Sequence, residues 1–293
     1  MTDFRFHRPG IIGTGRVARA LALAFGPHAP GPPLLWGRTP ENARSAATQV
    51  GVALTPTVDR LMSECDVVAI AVSDDALTPV VADMAAMLPP SHVPFIFHVS
   101  GRSGAAILEP LRLAGAVTAA VHPAMTFTGD PQAEMQRMAG ARFAVTGSTT
   151  EATGRANRIV ALLGGIAVEI AEDRRSLYHA ALCHASNHLV TLIAGAANTL
   201  RDAGVDDPSG LLAPLVRAAL ENSLDRGFAG LSGPLLRGDA RTIGGHLDTL
   251  KAHSPELLPA YRAMARATLD ELKRSETTPS THLTALDSLL AVP

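Results

Sequence analysis

The sequence predicts two domains: an α/β domain over residues 1–170, followed by an all-helical domain over residues 171–293. The length of 293 residues corresponds to about two domains of ordinary size. As far as Ile170, short apolar runs alternate with helical patterns, which is typical of a parallel sheet with crossover helices. After Ile170 the strand signals stop and only helical patterns follow.

Composition excludes several classes of protein. The chain is 47% hydrophobic and 18% charged, which excludes disorder or a fibrous structure for the whole chain. The net charge of −2, from 25 basic and 27 acidic residues, gives no sign of a nucleic-acid partner. Two cysteines, Cys65 and Cys183, cannot build a disulfide framework. Residues 1–10 lack the features of a secretory signal, so we expect a cytoplasmic protein.

Eight strands are expected in the first domain. The run Asp66–Val72 is almost continuously apolar, as in strands that are buried on both faces of a sheet. The expected strands are Gly10–Gly13, Leu34–Gly37, Val52–Thr55, Asp66–Val72, Pro94–Ser100, Ala116–His122, Arg142–Thr146 and Ile166–Ile170.

Five helices are expected in the second domain: Arg174–Ala203, Pro208–Arg226, Asp239–His253, Pro255–Arg274 and Ser280–Ala291. Ser254 suits an N-cap, because Pro255 would then occupy the first helical position. Within the first helix, Ser176–Leu200 carries no formal charge and is just long enough to cross a bilayer. Its many hydroxyl, amide and imidazole groups argue against lipid, so the segment predicts a helix buried inside a soluble protein, with no membrane partner.

A glycine-rich turn follows the first strand and opens a helix. Gly13 permits a tight turn, Gly15 lets a pyrophosphate approach the backbone, and Ala18 lets the helix pack closely on the sheet. The helix N-terminus favours phosphate groups. This context predicts a Rossmann dinucleotide-binding domain, although a glycine turn without a ligand is the alternative. The residues expected at the cofactor here are Gly13, Thr14, Gly15, Arg16 and Val17.

The end of the second strand indicates which dinucleotide binds. NAD sites usually carry an acidic residue there for the ribose hydroxyls, but this chain has Gly37. Arg38 offers a planar cation to a 2′-phosphate and Thr39 adds a hydroxyl, so NADP (NADPH) is the expected cofactor. The alternatives are a solvated surface arginine and a helix N-cap ahead of Pro40.

Two further strand ends face the same predicted cleft. Val72 and Ser73 are expected beside the cofactor ribose, although the acidic residues that follow them could instead cap a helix. Ser100 and Gly101 are expected at the cofactor or substrate, since a glycine allows close approach and a hydroxyl can donate a hydrogen bond. An ordinary flexible loop is the alternative there.

His122 ends a buried strand and precedes a proline. A histidine held in this way can transfer a proton near neutral pH, which a carbonyl or imine that accepts a hydride requires. The alternative is a histidine that only hydrogen-bonds the backbone and shapes the turn.

The long helix and a later loop supply further candidates. One face of the helix carries His184 and Asn187, and Tyr178 stands at its entrance, where the domains should meet. His184 and His188 are four residues apart, but no third ligand is evident, so no metal site is predicted. Arg237 could clamp a substrate carboxylate or form an ion pair with Asp239.

Together these motifs resemble the NAD(P)-dependent reductases built like 6-phosphogluconate dehydrogenase, which include ketopantoate, pyrroline-carboxylate and prephenate enzymes. The resemblance is greatest to a bacterial branch of Rossmann-like reductases whose C-terminal domain has no known function. The segments that carry it, beyond those already quoted, are Tyr178–Asn187 and Leu231–Asp239. The resemblance implies a homodimer formed through the helical domain.

The resemblance also implies roles for single residues. His122 resembles the histidine of the His-Pro-Met segment in prephenate dehydrogenases, which handles the proton opposite hydride transfer. Asn187 resembles an asparagine that follows a catalytic lysine by four positions in ketopantoate reductases. Here Cys183 stands at the lysine position, and the first lysine of the chain is Lys251. Any proton must therefore come from His122, or from Tyr178 through water.

These observations predict an NADPH-dependent reductase that passes hydride to the C=O carbon of a small 2-oxo acid of the ketopantoate type. A cyclic imine such as pyrroline-carboxylate is the second substrate class. A nucleotide-binding sensor that has lost catalysis is the competing hypothesis, since the lysine is missing. The residues expected at a carboxylate substrate are Ser100, Gly101, His122, His184, Asn187 and Arg237.

Overall fold

The computed structural model describes residues 6–88, 93–275 and 280–291. Residues 1–5, which belong to the segment without the features of a secretory signal, lie outside this range. The strands are β1 (Pro9–Ile12), β2 (Leu34–Trp36), β3 (Ala53–Leu54), β4 (Val67–Ile70), β5 (Phe95–His98), β6 (Val117–Pro123), β7 (Arg142–Gly147) and β8 (Ile166–Glu169). The helices are α1 (Arg16–Phe25), α2 (Pro40–Val50), α3 (Val58–Glu64), α4 (Asp74–Ala86), α5 (Glu109–Leu113), α6 (Pro131–Met138), α7 (Thr150–Leu162), α8 (Arg175–Asp202), α9 (Pro208–Arg226), α10 (Ala240–His253), α11 (Leu258–Arg274) and α12 (Ser280–Ala291).

All eight strands form one sheet in the order β3-β2-β1-β4-β5-β6-β7-β8. The first six strands run parallel, with β1 at the point where the strand order reverses. Ligands bind at the carboxyl ends of strands beside such a reversal. The predicted α/β domain of Rossmann type, followed by a helical region, is confirmed.

Strand β7 departs from the parallel sheet that the sequence predicts. It pairs with β6 in the antiparallel sense, with His122 opposite Ala144. The connection between the two strands contains only α6, whose eight residues span about 12 Å. Helix α6 packs against α1 instead of crossing the sheet, so the chain returns from the edge at which β6 ended. Strand β8 then runs parallel to β7.

The sheet is covered on both faces by apolar side chains. On one face Phe25, Phe95 and Phe97 pack together, with ring centroids 6.0–6.4 Å apart. On the other face Leu61 and Met62 pack against strand residues such as Ile96. Burial on both faces explains why the strands are nearly continuous apolar runs in the sequence.

The described residues fall into two compact units, residues 1–186 and 187–293, and α8 contributes to both. The second unit has its own core, in which α10, α11 and α12 pack through residues such as Ile243, Leu269 and Leu286. Helix α11 begins three residues later than expected. Ser254 does not act as its N-cap, because the serine hydroxyl donates to an Asp202 carboxylate oxygen at 3.1 Å.

The expectation that α8 is buried was wrong. Among its residues Arg175 is buried, while Leu177 and Val190 are largely exposed. By length and composition alone, Glu172–Asp202 could cross a membrane, and little of its most apolar stretch is covered by the chain itself. An apolar helix needs a covering partner, and the sequence pattern could not tell whether that partner lies in the same chain.

Candidate active site

The turn after β1 has the geometry that a bound dinucleotide requires. Gly13 has a φ of +128°, and a Cβ at this position would lie 2.2 Å from the carbonyl oxygen of Ala71. Its N–H donates to the Trp36 carbonyl at 2.8 Å. Gly15 is the N-cap of α1, and a Cβ there would meet nothing within 4 Å, so its backbone is open to a ligand. The first N–H groups of α1 are therefore available to phosphate oxygens.

A cavity of about 1060 Å³ lies beyond the carboxyl ends of β1, β2, β4 and β5. Every residue that the sequence predicts at the cofactor lines it: Gly13, Thr14, Gly15, Arg16, Val17, Gly37, Arg38, Thr39, Val72, Ser73 and Ser100. Gly101 lines it too. The wall also includes residues that sequence reasoning did not select, among them Asn42, Phe127 and His179.

The end of β2 has no room for the acidic side chain of an NAD site. A Cβ on Gly37 would lie 2.3 Å from Thr14 Cγ2 and 3.2 Å from the Cβ of Ala43. Arg38 and Thr39 line the cavity beside it, where a cation and a hydroxyl suit a 2′-phosphate. Thr39 is the N-cap residue of α2, but its side chain makes no capping hydrogen bond.

The end of β4 behaves in a similar way. Ser73 is the N-cap residue of α4 without a capping side-chain bond, and the cavity wall continues into the first turn of the helix. There Asp74 forms an ion pair at 3.4 Å with Arg102, which lies in the loop after β5. The first turn of α4 and the loop after β5 are thus joined beside the cavity.

The loop after β5, residues 100–104, is held by a buried histidine. His98 Nε2 donates to the Gly104 carbonyl at 2.8 Å, and its Nδ1 accepts the Ser100 N–H at 3.1 Å. Burial lowers the pKa of His98 to about 4, so the ring is neutral at physiological pH. The segment is therefore an ordered loop that presents Ser100 and Gly101 to the cavity.

His122 and Tyr178 form a hydrogen-bonded pair. His122 Nδ1 lies 2.9 Å from the Tyr178 hydroxyl, and the two rings meet edge to face. Burial, followed by the positive charge of Arg175, lowers the pKa of His122 to about 4. Burial also raises the pKa of Tyr178. The His122 ring is therefore neutral at physiological pH, because burial and a nearby cation both disfavour the imidazolium.

Gly101 brings this pair to the edge of the cavity. A Cβ on Gly101 would lie 3.0 Å from His122 Nε2 and 2.5 Å from His179 Cδ2. The His122 ring therefore packs against a glycine that lines the cavity, and only a glycine fits there without displacing one of the rings. On α8, His179 Nε2 lies 3.7 Å from the Cys183 thiol.

The remaining predicted residues lie elsewhere in the described chain. His184 lies on α8 in the first unit, whereas Asn187 and Arg237 belong to the second unit. No ion pair joins Arg237 to Asp239 in the described part of the chain, since the Asp239 carboxylate accepts two hydrogen bonds from Thr242 at the start of α10. Among the described residues, no group of three or more histidine, cysteine or acidic side chains could hold a metal ion.

Sequence reasoning did not select three side chains beside this site: His98, Arg175 and His179. His98 lies inside the strand expected over Pro94–Ser100 and so was not selected as a site residue, and His179 could have been suspected as the direct neighbour of Tyr178. Arg175 follows the exposed Arg174 and gave no signal, yet it is only 1% exposed.

Comparison with known families is consistent with this geometry. Residues 8–93 match a family model described as NADP oxidoreductase, coenzyme F420-dependent. Residues 141–268 match a model described as a domain of unknown function, DUF2520. No curated protein sequence matches the chain. The N-terminal residues thus carry an NADP-dependent oxidoreductase domain, and NADP is the cofactor.

Solved structures share the fold over almost the whole chain. A Bacteroides fragilis protein described as an NADP oxidoreductase is 20% identical, with a TM-score of 0.71 over 89% of this chain and 97% of its own. The reductive aminase of Aspergillus terreus is 18% identical, with a TM-score of 0.66 over 97% and 99%. The 1-pyrroline-5-carboxylate reductase of Streptococcus pyogenes is 18% identical, with a TM-score of 0.58 over 97% and 96%. At these identities the likeness concerns the fold alone.

Proposed function

We propose that the protein catalyses the NADPH-dependent reduction of the C=O group of a small 2-oxo acid of the ketopantoate type. The observation that carries the proposal is the 2.9 Å hydrogen bond between His122 and Tyr178 at the edge of the cofactor cavity. Reduction of a ketone leaves an alkoxide that must be protonated. Hydride addition to a protonated imine leaves a neutral amine and needs no proton in that step. A built proton donor therefore favours the carbonyl substrate.

The pair can supply the proton without a lysine. When bound, NADPH supplies the hydride. The Tyr178 hydroxyl donates to His122 Nδ1, which leaves the ring proton on Nε2, the atom that faces Gly101. As Nε2 gives its proton to the substrate oxygen, Nδ1 takes the hydroxyl proton of Tyr178. The resulting tyrosinate lies beside the cation of Arg175, whose guanidinium carbon is 5.8 Å from the Tyr178 ring centroid, and solvent then restores the proton.

Arg237 and Asn187 complete the proposal as residues for the substrate. Arg237 is exposed, and among the described residues it makes no ion pair with Asp239, although its charge contributes to lowering the pKa of that carboxyl after the hydrogen bonds of Thr242. We propose that its guanidinium binds the substrate carboxylate. Asn187 and His184 are proposed to hydrogen-bond the substrate, as the sequence pattern suggests.

A second candidate is the reduction of a C=N bond. It is supported by the fold likeness to a pyrroline-carboxylate reductase and a reductive aminase. Carbonyl reduction needs the Tyr178 hydroxyl as a source of the proton, whereas hydride addition to a protonated imine does not.

The test follows the loss of NADPH absorbance by purified protein with ketopantoate, with pyrroline-carboxylate, and with NADH in place of NADPH. We expect turnover with ketopantoate and NADPH. Turnover with pyrroline-carboxylate alone would replace the carbonyl substrate with the imine. Tight NADPH binding without turnover of either substrate would reject both and favour a nucleotide-binding sensor.

Two substitutions test the proton donor. Tyr178→Phe and His122→Asn should each lower kcat by about 10²–10⁴-fold and leave the Kd of NADPH nearly unchanged. Tyr261→Phe is the matched control, because Tyr261 makes the same kind of hydrogen bond, 2.8 Å to His246, in the second unit. Unchanged turnover in both site variants would remove the pair from the mechanism.

The protein is proposed to act as a cytoplasmic homodimer. Helix α9 exposes a series of leucines that a globular monomer would leave in water, namely Leu211, Leu215, Leu220 and Leu224. A second copy that presents the same surface would cover them symmetrically. Light scattering in detergent-free buffer should return twice the chain mass of 30.5 kDa, and a mass near that of one chain would refute the dimer.

A further inference from the structure

Arg175 holds a positive charge in the interior of the first unit. Its side chain is almost fully buried, and its guanidinium donates only to backbone carbonyls: Nε to Ser103 at 2.9 Å, Nη2 to Ser100 at 3.0 Å and Nη1 to Ala144 at 3.3 Å. Within the described residues no carboxylate oxygen lies within 4 Å of it. Burial lowers the pKa of Arg175, and Tyr178 and then Glu172 only partly oppose that shift. The Oε1 atom of Glu172 accepts the N–H of Ala106 instead of a guanidinium N–H. Because no counter-ion neutralises the cation, its field acts on the surrounding groups.

The same guanidinium fixes the loop at residues 100–104. Arg175 holds the carbonyls of Ser100 and Ser103, while His98 holds the N–H of Ser100 and the carbonyl of Gly104. The loop is thus anchored by two side chains from different elements, one on β5 and one on α8. Between its anchored residues lies Gly101, which packs against His122 and lines the cavity. A shift of the guanidinium would move the surface against which the His122 ring is placed.

Arg175 also acts on the charge state of the proton-donating pair. The charged or titratable groups that bear on His122 are Arg175, Tyr178 and His179 on α8, His98 on β5 and Asp74 on α4. Arg175 lowers the pKa of His122, whereas Asp74 raises it and is itself paired with Arg102. The net electrostatic effect of these groups on the His122 ring is therefore that of a positive charge. It disfavours an imidazolium and favours negatively charged groups nearby.

We propose that Arg175 is a positioning and specificity-determining residue, which holds the loop at residues 100–104 against His122 and selects anionic carbonyl substrates over cationic iminium ones. This inference rests on the proposed carbonyl reduction. It adds the reason for the choice of substrate. A buried cation stabilises an alkoxide, a tyrosinate and a carboxylate, and it repels a protonated imine.

The test compares Arg175→Met, Arg175→Lys and the matched control Arg174→Met, in which an exposed arginine one residue earlier is changed. In Arg175→Met the His122 pKa, followed by NMR of the labelled imidazole in free protein, should rise by about half a unit or more. Preference for ketopantoate over its neutral methyl ester, as a ratio of kcat/KM values, should fall about tenfold.

Arg175→Lys keeps the charge but lacks the planar set of donors. It should therefore hold the His122 pKa and the acid preference close to those of the wild type, while KM rises because the loop loses hydrogen bonds. Arg174→Met should match the wild type in all three readouts. Thermal unfolding of each variant identifies any that fail to fold. If Arg175→Met fails to fold, the KM of Arg175→Lys carries the test.

The outcomes separate this inference from the proposed function. An unchanged His122 pKa in Arg175→Met, or a KM in Arg175→Lys equal to that of the wild type, would overturn the role of Arg175. The expected pKa shift, combined with no turnover of ketopantoate by any variant, would support the effect of the Arg175 charge on His122 and reject the proposed substrate. If the kcat/KM preference moves toward the methyl ester in Arg175→Met but not in Arg175→Lys, the result supports both the role of Arg175 and the proposed carbonyl substrate.

Discussion

Protonation of His98 should make the protein lose stability in mild acid. The ring is fully buried and its pKa is lowered from 6.5 to about 4, chiefly by burial. Its two ring nitrogens are already occupied by the Gly104 carbonyl and the Ser100 N–H. A second ring proton would turn Nδ1 from an acceptor into a donor, which would then face the N–H donor of Ser100. Protonation should therefore break the hydrogen bond to Ser100 and release the loop that lines the cavity.

The sign and size of the effect follow from linkage. Between pH 4 and 6.5 the unfolded chain binds a proton at His98 and the folded chain does not, so the free energy of unfolding rises with pH in this window. The contribution is fully present above pH 6.5 and is lost as the pH falls toward 4. A difference of 2.5 units between 6.5 and 4 corresponds to about 3 kcal/mol.

The assay is denaturant unfolding of the wild type and of His98→Gln at a series of pH values from 4 to 7.5. The variant should lose about one proton of linkage, so its slope of unfolding free energy against pH should fall by about 1.4 kcal/mol per pH unit at the steepest point. His28→Gln changes an exposed histidine in the same unit and should keep the wild-type slope. Equal slopes in His98→Gln and the wild type would refute the reasoning.

Three further predictions concern the cavity and the helical unit. Gly13→Ala should raise the Kd of NADPH at least about tenfold in a fluorescence titration, because the φ of Gly13 is positive and a Cβ there has no space. Gly26→Ala is the control and should leave the Kd unchanged, since a Cβ at Gly26 meets nothing within 4 Å. Gly101→Ala should lower kcat but keep NADPH affinity, since the new methyl displaces His179; an unchanged kcat would contradict the packing described. Leu224→Glu should halve the mass measured by light scattering, because that leucine is 78% exposed on α9; a persistent dimer would remove this face from the interface.

Much of the first unit could be predicted from sequence, for a physical reason. Strands buried on both faces, such as β4 and β5, are apolar runs, and the turn at Gly13 needs a residue with no side chain. The direction of β7 could not be predicted, because it depends on where the short helix α6 packs and not on the strand's own residues.

The electrostatics of the site could not be predicted from the sequence either. His122 was identified as a candidate, but its pKa depends on burial and on Arg175, which is distant in sequence and resembles its exposed neighbour Arg174. The exposure of α8 was missed for a related reason. An apolar helix has the same pattern whether its own chain or another body covers it.

The crowded position of Gly37 constrains any attempt to redesign cofactor choice. The usual route toward NADH would place an aspartate at the end of β2, but a side chain there would collide with Thr14 in the phosphate-binding turn. Such a variant would weaken the binding of both NADPH and NADH and would not discriminate between them. A change of cofactor preference that leaves Gly37 unchanged would therefore have to be sought at Arg38 and Thr39, which line the cavity beside it.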